Sequence, residues 1–270
     1  MPNATSVKTI LYFASMAIKP NWKKVWRVTK KVMLYMFIGH LVYILFCWVF
    51  NPPITITQFN SLITGHGLKR DYVSLNEISP NARLAVIASE DQLFMEHEGI
   101  DWESIEKAYE YNKTHKKKRG GSTISQQVAK NVFLWQHGGY FRKGLELYFT
   151  FIIEKLYSKR RIMELYLNIS EMGDGIFGIE AASVHYFNKH AKDLTRPEAA
   201  MIAACLPNPK VYTIKPMSRQ VARRYPWILR QMSFLDENGE IKEVLSIDPI
   251  AKPEPVPPKE IKKENRKVRK

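Results

Sequence analysis

The chain has 270 residues, 45% of them hydrophobic, and a formal net charge of +15. That length holds one or two domains with a real core. The charge sits at the ends: residues 1–31 carry seven Lys/Arg and no acid, residues 251–270 eight basic and three acidic residues, together +12 of the +15. A nearly balanced body argues against a nucleic-acid groove through its middle, and basic ends point to anionic lipid.

Val32 to Phe50 is a 19-residue run without a formal charge. About 20 apolar residues span the hydrocarbon layer, so the run is a transmembrane helix candidate. Tyr35, Tyr43 and Trp48 are interface-type aromatics, and Asn51-Pro52-Pro53 ends the run. A cleaved signal peptide and a buried core helix are the alternatives; no A-x-A-like cleavage site follows. The basic block precedes the span, so the positive-inside rule leaves residues 1–31 in the cytoplasm and the rest outside. His40 within the span reads as a tolerated polar residue or a helix contact rather than a proton relay. Cys47 lies in the span and Cys205 in an Ala-rich helix, so no disulfide is expected between them. The His/Cys spacing offers no zinc site.

Residues 51–78 read as a linker or short strands, at Ile54–Thr57 and Tyr72–Leu75. From 79 to about 235 the pattern is nearly all helical. Ser79 and Pro80 open a helix with Leu84, Val86 and Ile87. It leads into Ser89-Glu-Asp-Gln-Leu-Phe-Met-Glu-His-Glu-Gly99. If that helix continues, Glu90, Phe94 and His97 share one face, a candidate acid/base group. A helix C-terminus with solvated charges is the alternative.

Lys116-Lys-Lys-Arg-Gly-Gly-Ser-Thr-Ile-Ser-Gln-Gln-Val-Ala-Lys-Asn131 is a basic Gly-rich loop leading into a helix. Thr123 and Gln126 form a capping box. Free N–H groups there, with Lys130 two turns in, suggest a phosphate site. No G-K-[ST] follows the glycines, so this is not a Walker A loop. Arg142 and Glu146 lie one helical turn apart. Ser158 caps the next helix, with Ile162, Leu165 and Tyr166 on its packing side and Glu164 and Asn168 away from it. Thr195-Arg-Pro-Glu198 is a further capping box, and Ser218 to about Phe234 a last, Arg-rich helix. The tail from 251 is Pro- and Lys-rich and reads as disordered.

Four of these stretches resemble, in order and spacing, the motifs of the peptidoglycan glycosyltransferases, the lysozyme-like, mainly helical family that polymerises lipid II. They are E-D-x-x-F-x-x-H-x-G, G-G-S-T-I-S-Q-Q, R-K-x-x-E and S-K-x-x-I-x-E-x-Y-L-N, and the resemblance covers roughly residues 79–215. F-L-W before R-K-G-L-E, and E-M-G-D-G-I-F-G-I-E-A-A, resemble its monofunctional biosynthetic branch. The resemblance implies a mainly α, lysozyme-like glycosyltransferase domain (79–235) behind a cytoplasmic basic segment (1–31), a transmembrane helix (32–50) and a linker (51–78), with a disordered basic tail (236–270). It implies Glu90 as general base, with Asp91, Phe94 and His97 completing the first motif. Thr123, Gln126, Gln127, Lys130 and Asn131 match a motif that contacts the sugar–diphosphate. Arg142 and Lys143 match a cationic pair, and Glu146 a second essential carboxylate. Glu164, Tyr166 and Asn168 fall in the fourth motif, where scaffolding and catalysis are equally open. Many members have Arg-Ser where this chain has Gly138-Gly139, so one phosphate-directed cation is missing.

The implied reaction is polymerisation of lipid II into β-1,4 glycan with inversion, for cell-wall biogenesis and cell shape. The implied partners are lipid II, the growing glycan–undecaprenyl diphosphate, the membrane and other cell-wall synthesis or division proteins, with no nucleic acid. The implied location is the bacterial inner membrane, single-pass, with the catalytic domain extracytoplasmic. No cofactor is required, with a divalent cation, Mg or Mn, allowed as a stimulant. A lysozyme-like hydrolase, which needs a proton donor and a second carboxylate, is the closest rival. A catalytically silent wall-complex scaffold is another. Ser104-x-x-Lys107 could open a penicillin-binding motif, but no K-T-G follows and the residues after 215 are too few for such a domain.

Overall fold

The computed structural model describes residues 21–116, 120–136, 138–236 and 241. The extreme N-terminus, Lys117–Arg119 of the basic loop and nearly all of the expected tail lie outside the described residues. The chain forms two compact units, residues 1–50 and 51–270.

The described residues of the first unit form helix α1 (Trp22–Val49), capped by Asn21, whose side chain accepts from Lys24 N at 3.1 Å. It starts ten residues before the charge-free run. At 1.5 Å per residue it is about 42 Å long, more than the hydrocarbon layer requires. It is long and apolar enough to cross a membrane. Its basic first third carries Lys30 over the Trp26 ring at 5.1 Å, an apolar-plus-cationic arrangement suited to a membrane interface. His40 Nδ1 donates to Phe37 O one turn back, at 3.1 Å, which satisfies it locally.

The second unit is helical with one small sheet. Its helices are α2 (Ile56–Ile63), α3 (Pro80–Glu90), α4 (Trp102–Thr114), α5 (Ile124–Phe133), α6 (Tyr140–Leu156), α7 (Lys159–Ile169), α8 (Ile179–Phe187), α9 (Arg196–Cys205) and α10 (Arg219–Leu235). The strands β1 (Lys69–Arg70), β2 (Glu171–Gly173) and β3 (Ile176–Phe177) order as β1-β3-β2, with β1 parallel and β2 antiparallel to β3. The strands expected at 54–57 and 72–75 are replaced by α2 and a 3-10 turn over Leu75–Glu77. Thr55 and Gln58 form a reciprocal capping box, a local signal that outweighs the β-branched character of Ile54, Thr55 and Ile56.

Helix α3 is the core element. Residues 82 to 88 are buried all round, as expected of a helix enclosed by neighbours. It packs against α9 and α10, which also pack on each other. The alanines of α3 and α9 let these backbones approach closely. Arg83 is buried in this helix and donates to Ile78 O through Nε at 3.2 Å and Nη2 at 2.6 Å. Burial, reinforced by Arg160, lowers its pKa to about 10. A second group joins α5 to α6, α7 and α2.

Asn168 is fully buried rather than on the outer side of α7. Its amide pairs with Val73 as a strand would: Oδ1 accepts from Val73 N and Nδ2 donates to Val73 O, both at 2.9 Å. One side chain thus satisfies both backbone groups of an otherwise unpaired segment.

Candidate active site

Helix α3 ends at Glu90 instead of running on to His97. Asp91 turns the chain (φ −162°, ψ 83°), and residues 92–99 form turns. The turn is held by the Asp91 carboxylate, which accepts from His97 Nε2 at 2.9 Å and from Ile124 N at 2.9 Å. Gly99 N donates to His97 Nδ1 at 3.0 Å, so that nitrogen bears no proton and the ring is the Nε2–H tautomer. Gly99 itself has φ +85°, and an added Cβ would lie 2.7 Å from Glu154 Cγ and Thr150 Cγ2. Glycine is required there twice over.

This arrangement changes the expected anion site. The N-terminus of α5 was expected to offer free N–H groups to a phosphate. Instead Ile124 N is taken by Asp91, Thr123 N by Gln126 Oε1 at 3.2 Å, and Gln126 N by Thr123 Oγ1 at 3.1 Å. An internal carboxylate occupies the positive end of the helix, where anions are favoured. Thr123 Oγ1 also donates to Gly99 O at 2.7 Å. Phe94 is fully buried, with Lys159 Nζ 4.7 Å from its ring centroid. Asp91, Phe94, His97, Thr123 and Gln126 are therefore placed in the wall behind the site, fixing a loop to a helix.

Glu90 is the member of the first motif that faces out of this wall. Its Oε2 accepts from Gln127 Nε2 at 3.1 Å, and Gln127 Oε1 accepts from Tyr166 OH at 3.3 Å. Tyr166 is buried, which raises its pKa well above the usual phenol value, with Glu90 adding to the effect. Its hydroxyl therefore stays protonated and remains a donor. Glu90 Oε1 accepts from Ser89 Oγ at 3.0 Å and lies 3.4 Å from Arg224 Nη2. The sequence reading missed Arg224. Its signal was the spacing on α10, where Arg224 shares a face with buried Val221, Ile228 and Met232.

The cations form the other half. Glu146 is only 3% exposed and accepts from Arg142 Nη1 at 2.6 Å and from Lys143 Nζ. Arg142 Nε is buried with no hydrogen-bond partner among the described residues. Gly138 packs beneath this arginine: a Cβ there would lie 2.8 Å from Arg142 Cβ. Gly138, having no Cβ, thus lets Arg142 sit close to the loop. Lys130 lies between the two halves. Burial lowers its pKa; Glu146 and Glu90 oppose that, while Arg142 and Lys143 add to it.

A cavity of about 560 Å³ has Lys130 in its lining, together with Gln127, Asn131, Tyr166, Glu171, Asn208 and Lys210. Burial raises the Glu171 pKa, with Lys210 opposing. Among the described residues no cluster of three His, Cys, Asp or Glu side chains could hold a metal ion. Glu164 pairs with Arg161 at 3.3 Å and lines a separate, smaller pocket.

The mainly helical domain that holds this carboxylate at the end of a buried helix, 3.4 Å from Arg224 and within electrostatic reach of Lys130, is of the transglycosylase class. The transglycosylase family model matches residues 56–233. The chain is 46% identical to a biosynthetic peptidoglycan transglycosylase of Haemophilus influenzae, over 79% of this chain and 89% of that protein. It is 54% identical to the protein of that name from Mannheimia succiniciproducens, over 62% and 69%, and 43% identical to that from Bdellovibrio bacteriovorus, over 80% and 89%. The chain belongs to the transglycosylase family. The match begins within α2, so this helix and the small sheet lie inside the matched region rather than ahead of it.

Proposed function

We propose that this chain is a membrane-anchored peptidoglycan transglycosylase that polymerises lipid II. Lys130 carries the reading: it lies within electrostatic reach of Glu90 on one side and of Glu146, Arg142 and Lys143 on the other. A single cation links the candidate base to the candidate diphosphate cradle.

In this reading the acceptor's 4-hydroxyl gives its proton to Glu90 Oε2 while its oxygen bonds to the anomeric carbon of the donor. The bond from that carbon to the diphosphate oxygen breaks on the opposite face, and the electron pair leaves with undecaprenyl diphosphate. An α-linked donor therefore gives a β-1,4 product. The leaving group needs cations more than a proton, and Lys130, Arg142 and Lys143 supply them. Glu146 holds Arg142 and Lys143 at a fixed spacing. Asp91, Phe94, His97, Thr123 and Gln126 scaffold the base from behind. Helix α1 serves as a single-pass anchor with its basic N-terminal side in the cytoplasm, which brings the site to its lipid-linked substrates.

The test is polymerisation by detergent-solubilised protein. Lipid II alone should be converted to glycan polymer with release of undecaprenyl diphosphate, and preformed polymer should remain uncut. Cleavage of polymer with no consumption of lipid II would replace this reading by the hydrolase.

A further inference from the structure

Arg224 reaches the base from a helix more than 130 residues away in sequence, and nothing in the motifs above calls for it. Its Nη2 meets three acceptors at once: Ser89 O at 3.1 Å, Ser89 Oγ at 3.0 Å and Glu90 Oε1 at 3.4 Å. Ser89 Oγ in turn donates to Glu90 Oε1. Its Nε is buried with no hydrogen-bond partner among the described residues. An arginine kept only for packing would be expected to satisfy such a nitrogen or be replaced by an apolar residue. The guanidinium face lies toward Trp227, 5.9 Å from the ring centroid, so the head group is held from its own helix as well.

The two oxygens of Glu90 are thereby made unequal. Among the described residues Oε1 is engaged by Ser89 and Arg224, and Oε2 by Gln127 alone. We infer that Arg224 is a positioning residue for the proposed base: it clamps Ser89 and Glu90 Oε1 so that Oε2 is presented to the acceptor hydroxyl. Helix α10 thus takes part in the chemistry through one side chain. The inference rests on the reading of Glu90 as the base. Arg224 does not touch the reacting atoms, and its effect passes through the carboxylate it holds. Misplacing a reacting group by about 1 Å costs on the order of 10²-fold in rate.

The experiment is a kinetic cycle on the full chain with lipid II as substrate, using Arg224→Ala, Arg224→Lys, Glu90→Gln, the double variant Glu90→Gln/Arg224→Ala, and Arg223→Ala as a surface control. Arg223 is exposed and bonded only to Gln220 among the contacts resolved. Arg224→Ala should lower kcat by about 10- to 100-fold with KM within about twofold. Added methylguanidinium should restore part of the loss, and Arg224→Lys should fall between parent and alanine. In the Glu90→Gln background the same Arg224→Ala change should cost nothing further, because no base is left to position. Arg223→Ala should match the parent. If Glu90→Gln is inactive while Arg224→Ala keeps the parent kcat, the positioning role is wrong and the base assignment stands. An equal Arg224→Ala loss in both backgrounds, or a loss that neither guanidinium nor lysine relieves, also overturns it. Parent-level activity in Glu90→Gln would remove the base reading itself.

Discussion

Asp91 offers the sharpest test of how the site is held. Its side chain is nearly sealed from solvent and satisfies two buried donors, Ile124 N and His97 Nε2. Asp91→Ala leaves both unpaired, at about 1–3 kcal/mol each, and removes a negative charge from a helix N-terminus, about 0.3–1 kcal/mol more. Partial relaxation brings the expected loss to about 3–4 kcal/mol, or roughly 6–16 °C in Tm at about 2–4 °C per kcal/mol for a domain of this size. Asp91→Asn keeps one acceptor oxygen and should cost about 1 kcal/mol. Scanning calorimetry or tryptophan fluorescence on the solubilised protein reads both. Below its melting point Asp91→Asn should retain a measurable fraction of polymerising activity, since the carboxylate faces α5 rather than the cavity. An Asp91→Ala protein that melts within 2 °C of the parent, or an Asp91→Asn protein more impaired in turnover than Glu90→Gln, would refute the scaffolding role; the second result would move the base to Asp91.

The two cations on Glu146 should separate. Arg142→Ala removes the partner that is 13% exposed and should destabilise the protein by about 3 kcal/mol or more, as breaking a buried pair does. Lys143, 41% exposed, should cost about 1 kcal/mol or less when replaced by Ala, with both variants slowed in turnover; equal melting points would contradict the geometry. Burial lowers the Lys130 pKa, so its charge is lost at a lower pH than that of a free lysine. Activity should therefore fall on the alkaline side before pH 10.5 is reached, and Lys130→Arg, which stays charged, should shift that limb upward. The same lowered pKa means the unfolded chain binds more protons between the folded and unfolded values, so the folding penalty of burying charged Lys130 is relieved as pH rises through that window. A reporter that works only in the cytoplasm, fused after Leu235, should be silent, and an active one would reverse the proposed orientation.

The helices of this chain were legible because their ends are written locally. Ser79 with Pro80, Thr123 with Gln126, Ser158, Thr195 with Glu198 and Ser218 each mark an N-terminus that the structure keeps. Local marks could not show what closes over them. The N–H groups after Thr123 look free in sequence, and the carboxylate that takes Ile124 N comes from Asp91, 33 residues earlier. Glu90 and His97 look like one helical face until the Asp91 turn separates them. Asn168 looks solvent-facing beside Glu164, yet it serves as a strand partner for Val73. Arg224 was hidden for the same reason, because its meaning lies in a contact with Ser89 and Glu90 across the core. The misses at Asp91–Ile124, Asn168–Val73 and Arg224–Ser89 are long-range polar contacts whose two ends are individually unremarkable.

The most direct measurement of the central claim is lipid II polymerisation by Glu90→Gln. Gln keeps the shape of Glu and can still accept one hydrogen bond from Gln127, but it cannot take up the acceptor's proton. General-base catalysis contributes about 10²–10⁴-fold, so turnover should fall by that factor while Tm and binding of the lipid-linked substrate stay at parent values. Near-parent turnover in a folded, substrate-binding Glu90→Gln protein would contradict the account.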